Sequence, residues 1–145
     1  MNGIIVRRAL PSDVYSIAAA ENAYIDCPWN EAQIAREISA PDTVFLTAET
    51  GSVFCGYVSG VVAADECEMS NIAVEEKFRR CGVGRALMDA FLSALEVRGV
   101  KSVYLLVRDG NSAAISLYEK CGFEFVGLRK GYYKGKDARI MRLTL

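Results

Sequence analysis

Apolar residues come in short strand-like runs through the first half of the chain and at helical spacing through much of the second. Ile4-Ile5-Val6-Arg7-Arg8 predicts a first strand. Pro11-Ser12-Asp13 then places proline near a helix start with an acid in the first turn, and the helix runs to about Tyr24. Cys27-Pro28-Trp29 breaks the pattern, after which Asn30 can cap a short helix through Ile38, with Gln33 placed to close a capping box. Val44-Phe45-Leu46 and the run from Val53 to Val58 flank Glu49-Thr50-Gly51-Ser52, a hairpin signal, and the second of these strands extends to about Ala64. A fourth strand spans roughly Glu66 to Val74. Val83, Leu87, Phe91 and Leu95 then recur at helical spacing from Gly82 to Arg98, with Gly99 as a left-handed stop. Val103 to Val107 reads as a buried strand, and Asn111 caps another helix closing at Gly122. Phe123 to Leu128 and Ala138 to Leu143 read as two last strands around a Gly131-Tyr132-Tyr133-Lys134-Gly135 loop. The order β-α-α-β-β-β-α-β-α-β-β predicts an α+β fold: one mixed, partly parallel sheet with helices on both faces.

At 145 residues the chain has the common size of one domain, and residues 1–145 are read as a single unit without repeat or linker. No apolar run reaches the ~20 residues needed to span a bilayer, and the start Met1-Asn2-Gly3 shows no leader pattern, so a soluble, cytoplasmic protein is expected. Five cysteines without a CxxC pair, one of them left over, suit a reducing compartment, and most of them read as small core residues. A net charge of −1 gives no reason to expect nucleic acid. There is no histidine, which excludes Ser-His-Asp and Cys-His relays and His-ligated zinc, and no metal is expected. Chemistry must come from carboxylates, tyrosine, backbone amides or a cofactor.

Arg79-Arg80-Cys81-Gly82-Val83-Gly84-Arg85 lies between a strand and the amphipathic helix. Helix-start amides there lack intrahelical partners, glycines let a diphosphate approach the backbone, and arginines can pair with its oxygens. On the residues alone, the same glycine pair also fits a plain tight turn. A P-loop would continue with Lys-Ser or Lys-Thr, but Arg85-Ala86 follows; a dinucleotide fingerprint would need its third small residue later than Ala86.

The segment from Ile72 to Leu87, with Arg79 to Arg85 at its centre, resembles the acetyl-CoA signature of the GNAT superfamily of N-acetyltransferases. Asn111 to Phe123 is similar to that superfamily's second signature. Pro28-Trp29-Asn30-Glu31, Asn71-Ile72-Ala73-Val74, Val107-Arg108 and Arg129 to Tyr133 most resemble the ribosomal-protein-alanine N-acetyltransferases. The resemblance implies that the fourth and fifth strands splay, leaving main-chain groups of Ile72, Ala73 and Val74 for pantetheine. It implies that residues from Arg79 or Arg80 to Arg85 hold the diphosphate of acetyl-CoA. Asn111 would contact the pantetheine arm, a role compatible with its reading as a plain helix cap. The reaction implied is direct attack of a neutral amine on the thioester, with the Val74 N–H at the oxyanion.

By the same resemblance, Tyr118 is the general acid for the departing thiolate; its other reading is a core aromatic. The related enzymes carry glutamate where this chain has Leu106 in Leu105-Leu106-Val107-Arg108, and Leu106 cannot accept a proton. Either catalysis proceeds without a strong base or another carboxylate substitutes: Glu68, at the position from which the histone-acetyltransferase branch supplies a base, is expected first, with Glu66 second through water; both also fit solvated strand residues. Trp29 on one side and Tyr132 with Tyr133 on the other would frame the acceptor, or simply pack under a loop. The acceptor implied is a protein N-terminus. Alternatives are a small amine, a lysine side chain, or a coenzyme A-binding module without turnover, and the chain is expected to be a monomer or homodimer.

Overall fold

The computed structural model describes residues 3–145; Met1 and Asn2, part of the start read above for a leader pattern, lie outside the described residues. The elements are β1 (Ile5–Arg8), α1 (Val14–Tyr24), α2 (Glu31–Ser39), β2 (Thr43–Thr50), β3 (Val53–Ala63), β4 (Glu66–Val74), α3 (Val83–Val97), β5 (Ser102–Arg108), α4 (Ser112–Lys120), β6 (Glu124–Tyr133) and β7 (Lys136–Thr144). Short 3-10 turns at Pro11–Asp13 and Glu76–Phe78 lead into α1 and the α3 loop. The order is the one expected from the hydrophobic pattern.

The strands form one seven-stranded sheet in the order β1-β2-β3-β4-β5-β7-β6. Neighbours are antiparallel except β4 and β5, which run parallel. Each face of the sheet buries its own apolar cluster. Leu87, Met88, Phe91 and Leu95 of α3 pack with Val58, Cys67, Met69, Leu105 and Met141 on one face. Ile17 and Ala18 of α1 and Ile34 and Ile38 of α2 pack with Phe45, Tyr57 and Ala73 on the other. Side chains of the central strands divide between these two sets: Val44 and Ala48 of β2 and Val58 of β3 join the α3 layer, while Phe45 and Tyr57 join the other.

Local chemistry fixes the element ends. Asn30 Oδ1 accepts the Gln33 N–H at 2.8 Å while Gln33 Oε1 accepts the Asn30 N–H at 2.9 Å, the reciprocal capping box read from the sequence. Asp13 does more than face a helix dipole. It accepts the Leu10 N–H at 2.7 Å and two N–H groups of Arg7 at 2.8 and 3.0 Å, and Arg7 also donates to Glu49. Arg7 thus ties β1, β2 and the first turn together.

That cluster predicts a pH effect. The Arg7 guanidinium holds the Asp13 carboxyl below its ordinary value, overcoming the opposing effect of burial. A carboxyl depressed on folding contributes stability above its unfolded pKa of about 3.9, and that stability is lost as pH falls toward the folded value. Asp13→Asn is therefore expected to cost about 1 kcal/mol at pH 7 by urea denaturation, with the deficit shrinking below pH 4. A deficit unchanged at pH 2.5 would contradict this.

Two boundaries differ from the sequence reading. β6 continues through Tyr132 and Tyr133, and the turn to β7 is made by Lys134 and Gly135 alone, at φ of 39° and 87°. Two left-handed residues suit the twist of a two-residue hairpin, so the aromatic pair stays in the strand instead of forming a loop. Of the cysteines, only Cys55 and Cys67 are buried; Cys27 and Cys81 are exposed and Cys121 is half-buried. Cys121 packs against the same core as Cys55 and Cys67, so three of the five are core residues as expected, while Cys27 and Cys81 fall on the connection after α1 and in the loop before α3.

Candidate active site

The site begins where two parallel strands part. β4 and β5 pair only at Glu66↔Ser102, Cys67↔Val103 and Glu68↔Tyr104. Beyond that last rung β4 stays on β3, with Ile72 opposite Val58 and Val74 opposite Gly56, while β5 stays on β7 out to Arg108. A wedge opens between them. The Glu75 N–H bonds back to the Cys55 carbonyl at 2.8 Å, so strand alternation turns the main-chain groups of Val74 and Ile72 toward the wedge. One of these is already engaged, since Arg79 Nε donates to the Val74 carbonyl at 3.1 Å. The Val74 and Ile72 amides stay directed at the gap.

A β-bulge shifts the register between the Asn71↔Ser59 and Met69↔Gly60 rungs. Its extra residue, Ser70, lets Met69 face α3 while Asn71 and Ala73 face α1, on the side that Glu66 and Glu68 occupy. A cavity of about 490 Å³ fills the wedge on this side, and Glu68, Asn71, Leu106, Asn111, Tyr118, Trp29, Tyr132 and Tyr133 all line it. Residues from five separate segments of the sequence therefore meet in one space.

The structure brings together most of the expected site residues, but only one of the two glutamates lines the large cavity. Glu68 stands on the last zipped rung and lines the cavity, whereas Glu66 lies two residues deeper, at the closed end, and lines only a shallower groove on the same sheet face. Leu106 and Glu68 border both spaces. Asn111 caps α4 by accepting the Ala114 N–H at 3.3 Å and also lines the cavity, so its two readings coexist. Seven residues on, Tyr118 is 7% exposed, with its ring 5.8 Å from that of Phe123. Burial pushes its phenol well above the ordinary value, with the nearby Tyr133 hydroxyl adding to the shift, which favours the protonated form. Tyr133 donates to the Leu106 carbonyl at 3.4 Å and meets Tyr132 edge-on at 4.9 Å. Across the mouth, Asp26 and Arg108 approach to 3.8 Å.

The second half of the site is the loop before α3. Gly82 is the helix N-cap at φ 86°, where a side chain would be strained, and Ala86 is the first residue of the helix whose N–H reaches back to Gly82, at 3.0 Å. The amides of Val83, Gly84 and Arg85 therefore have no intrahelical partner. A Cβ at Gly84 would meet nothing closer than Val74 at 3.7 Å, so the room beside it is open. That room is a cavity of about 240 Å³ lined by Val74, Arg79, Arg80, Gly82, Gly84, Arg85 and Leu117. Arg79 stacks over Tyr24 at 4.6 Å, and Arg85 is tied to Asp89 at 3.1 Å. Arg80 takes the left-handed φ of 63°. Cys81 is exposed on the loop. Unpartnered amides, an open approach and several guanidinium groups fit a diphosphate; the unzipped edge of β4 fits an extended amide-bearing chain.

A family model described as the acetyltransferase (GNAT) family matches residues 12–123, most of the chain. The chain belongs to the GNAT family. Among curated relatives, the ribosomal protein bS18-alanine N-acetyltransferase of Escherichia coli K12 is 38% identical over 112 residues, covering 77% of this chain and 75% of that protein. An uncharacterized protein of Mycobacterium leprae is 35% identical across 96% of this chain, which spans only 40% of that longer protein. The crystal structure of the ribosomal-protein-S18-alanine N-acetyltransferase from E. coli superposes with a TM-score of 0.90 at 30% identity, covering 98% of this chain and 94% of that one. The PaiA N-acetyltransferase of Thermoplasma acidophilum, solved in complex with coenzyme A, shares the fold with a TM-score of 0.85 at 18% identity, over 99% of each chain. The expected superfamily and the expected acetyl-CoA-dependent N-acetyltransferase are thereby met, and the likeness to the ribosomal-protein-alanine enzymes stands. No helix of this GNAT chain, among the described residues, is long and apolar enough to cross a membrane.

Two residues of the site escape a reading of the sequence. Glu21 of α1 is fully buried, and its carboxylate accepts the Tyr57 hydroxyl, the Trp29 N–H at 2.8 Å and Asn71 Nδ2 at 3.2 Å. It binds β3, β4 and the segment between α1 and α2 to one anchor. The available signal was positional: Glu21 lies four residues after Ile17 and so falls on the apolar face of the helix, where a charge needs partners. Asn71 is the other, visible in the sequence only as part of a family likeness.

Proposed function

We propose that this GNAT enzyme transfers the acetyl group of acetyl-CoA to the N-terminal α-amine of a protein. The observation that carries the reading is the cavity at the parting of β4 and β5, where the protonated Tyr118 phenol meets an aromatic frame of Trp29, Tyr132 and Tyr133. An amine entering between those aromatics reaches the thioester from the α1 side, while the cofactor lies along β4 with its diphosphate at Val83 to Arg85. The relative from E. coli, a ribosomal protein bS18-alanine N-acetyltransferase by name, supports a protein N-terminus as the acceptor.

The neutral amine attacks the thioester carbonyl, a C–N bond forms, and the oxyanion is stabilised by the Val74 N–H. The C–S bond then breaks and Tyr118 gives its proton to the sulfur; the amine's excess proton, passed to solvent directly or through Glu68, is balanced by the proton that solvent returns to the phenol. Glu66, set back at the closed end, acts only through water. An α-amine has a pKa near 8 against about 10.4 for lysine, so a strong base is not required for the former, consistent with Leu106.

The pH profile tests the assignment. The kcat/KM for a peptide acceptor is expected to rise toward pH 8 as the amine is deprotonated. It should then stay level to pH 9.5, because burial keeps Tyr118 protonated through that range. A decline beginning near pH 8.5 would contradict the role given to Tyr118. Incubation with acetyl-CoA and an N-terminal peptide library, read by mass spectrometry, is expected to place a single acetyl group on α-amines. Acetylation confined to polyamines or lysine side chains would replace the N-terminal reading by one of those acceptors; coenzyme A binding without any transfer would reduce the protein to a binding module.

A further inference from the structure

We propose that Asn71 Oδ1 is the acceptor that receives an N–H of the incoming amine, and that Glu21 fixes the Asn71 amide in the orientation this requires. The proposal rests on the amine-acceptor reading above.

Both oxygens of a carboxylate accept hydrogen bonds, so the group that Asn71 turns toward Glu21 must be its NH₂. The contact is Nδ2 to Oε2 at 3.2 Å, on an oxygen that also accepts the Tyr57 hydroxyl, while the other oxygen is held by the Trp29 N–H at 2.8 Å. Glu21 itself cannot swing away, since it is fully buried and joined to three segments. A planar amide pinned through nitrogen leaves its oxygen facing elsewhere. Asn71 Oδ1 makes no hydrogen bond to another described residue, and it is not among the sealed polar atoms without a partner, which are Thr43 Oγ1, Thr47 Oγ1 and Ser59 Oγ. With Asn71 lining the large cavity, that oxygen opens into it.

The place suits the chemistry. The β-bulge at Ser70 puts Asn71 on the face from which the amine approaches, between Glu68 and the unzipped main chain of Ile72 to Val74. A neutral amine about to attack uses its lone pair on the carbonyl and leaves N–H groups that need an acceptor in a cleft framed by Trp29, Tyr132, Tyr133 and Leu106. One fixed oxygen there both satisfies an N–H and aims the lone pair, a gain in orientation. Trp29, seated on the same carboxylate through its main chain, is positioned by the same anchor. Glu21 is thus a positioning residue, acting through Asn71 and Trp29.

The test compares Asn71→Leu, Glu21→Gln, Asn71→Asp and the double variant Glu21→Gln/Asn71→Asp with wild type, using the acceptor that wild type acetylates best. Asn71→Leu is expected to lower kcat/KM for the acceptor at least tenfold while the KM for acetyl-CoA and coenzyme A binding change less than twofold. Asn71→Asp sets two carboxylates together and is expected to lose activity, as is Glu21→Gln, whose NH₂ can turn the Asn71 amide around. The double variant restores a donor facing an acceptor and leaves a carboxylate oxygen in the cavity, so it should return to within about threefold of wild type even if Asn71→Leu fails to fold. Acceptor kcat/KM within twofold of wild type for folded Asn71→Leu, or no recovery in the double variant, overturns the proposal. If wild type consumes a small amine and no peptide, the N-terminal reading fails by itself and the same comparison is read on that amine; if it acetylates no amine, both fail.

Discussion

Tyr118→Phe is expected to reduce kcat at least about 100-fold while leaving the KM for acetyl-CoA within twofold of wild type, measured by thiol release at saturating acceptor. Of the second-signature residues that line the cavity, Asn111, Ala114 and Tyr118, the phenol alone can protonate the leaving thiolate, and its hydroxyl makes no hydrogen bond to another described residue. Phenylalanine keeps the ring and its packing against Phe123, with centroids 5.8 Å apart. Stability should therefore change by less than ~0.5 kcal/mol, since no satisfied hydrogen bond is removed. A purely structural tyrosine predicts the reverse: a lower Tm with turnover intact. The two outcomes do not overlap, and kcat within threefold of wild type would remove Tyr118 from the mechanism.

Gly56→Ala should damage cofactor binding without touching any residue of the loop before α3. Gly56 lies opposite Val74 on β3, and a Cβ there would come within 2.5 Å of the Ala73 carbonyl oxygen and 3.2 Å of Val74 Cα. Both are main-chain atoms of β4, so relief requires moving the strand. Overpacking of this kind costs about 1–3 kcal/mol. Because the displaced segment carries the amides directed into the wedge, coenzyme A affinity should fall about tenfold or more by calorimetry. Gly60 provides the comparison. A Cβ there meets Phe91 Cζ at 2.7 Å and Cys67 Sγ at 2.8 Å on the zipped side of the sheet, so Gly60→Ala should lower stability with a smaller effect on cofactor affinity. Equal affinity losses in the two variants would contradict the placement of the cofactor edge.

The parts of this molecule that follow local rules were legible in its residues. Val83, Leu87, Phe91 and Leu95 repeat at the helical period and all four are buried on α3, and Asn30 with Gln33 forms the capping box their spacing implies. The loop before α3 was legible as a strand-to-helix junction, but its glycines alone also fit a plain tight turn, and only the family likeness distinguished the two readings. What stayed hidden depends on tertiary context. Nothing local marks Ser70 as the bulge that turns Asn71 toward α1, since that shift is set by pairing with β3. Glu21 reads as one more polar residue of a helix until Tyr57, Asn71 and the Trp29 N–H converge on it. Two glycines flanking Tyr132 and Tyr133 suggest a loop, yet the aromatic pair prefers a pleated surface and the turn contracts to Lys134 and Gly135. Glu66 and Glu68 share a face, as alternation requires, but only the structure shows that strand parting begins between Glu68 and the bulge, leaving Glu66 at the closed end.

The central claim is that acetyl-CoA completes the sheet along the freed edge of β4 and rests its diphosphate on the start of α3. Amide hydrogen exchange followed by NMR, with and without saturating acetyl-CoA, tests it at individual residues. The N–H groups of Ile72, Val74, Val83 and Gly84 are expected to slow at least tenfold on cofactor addition, while those of β1 and β2 exchange as before. Unchanged exchange at these four amides in a sample that has bound acetyl-CoA would contradict it.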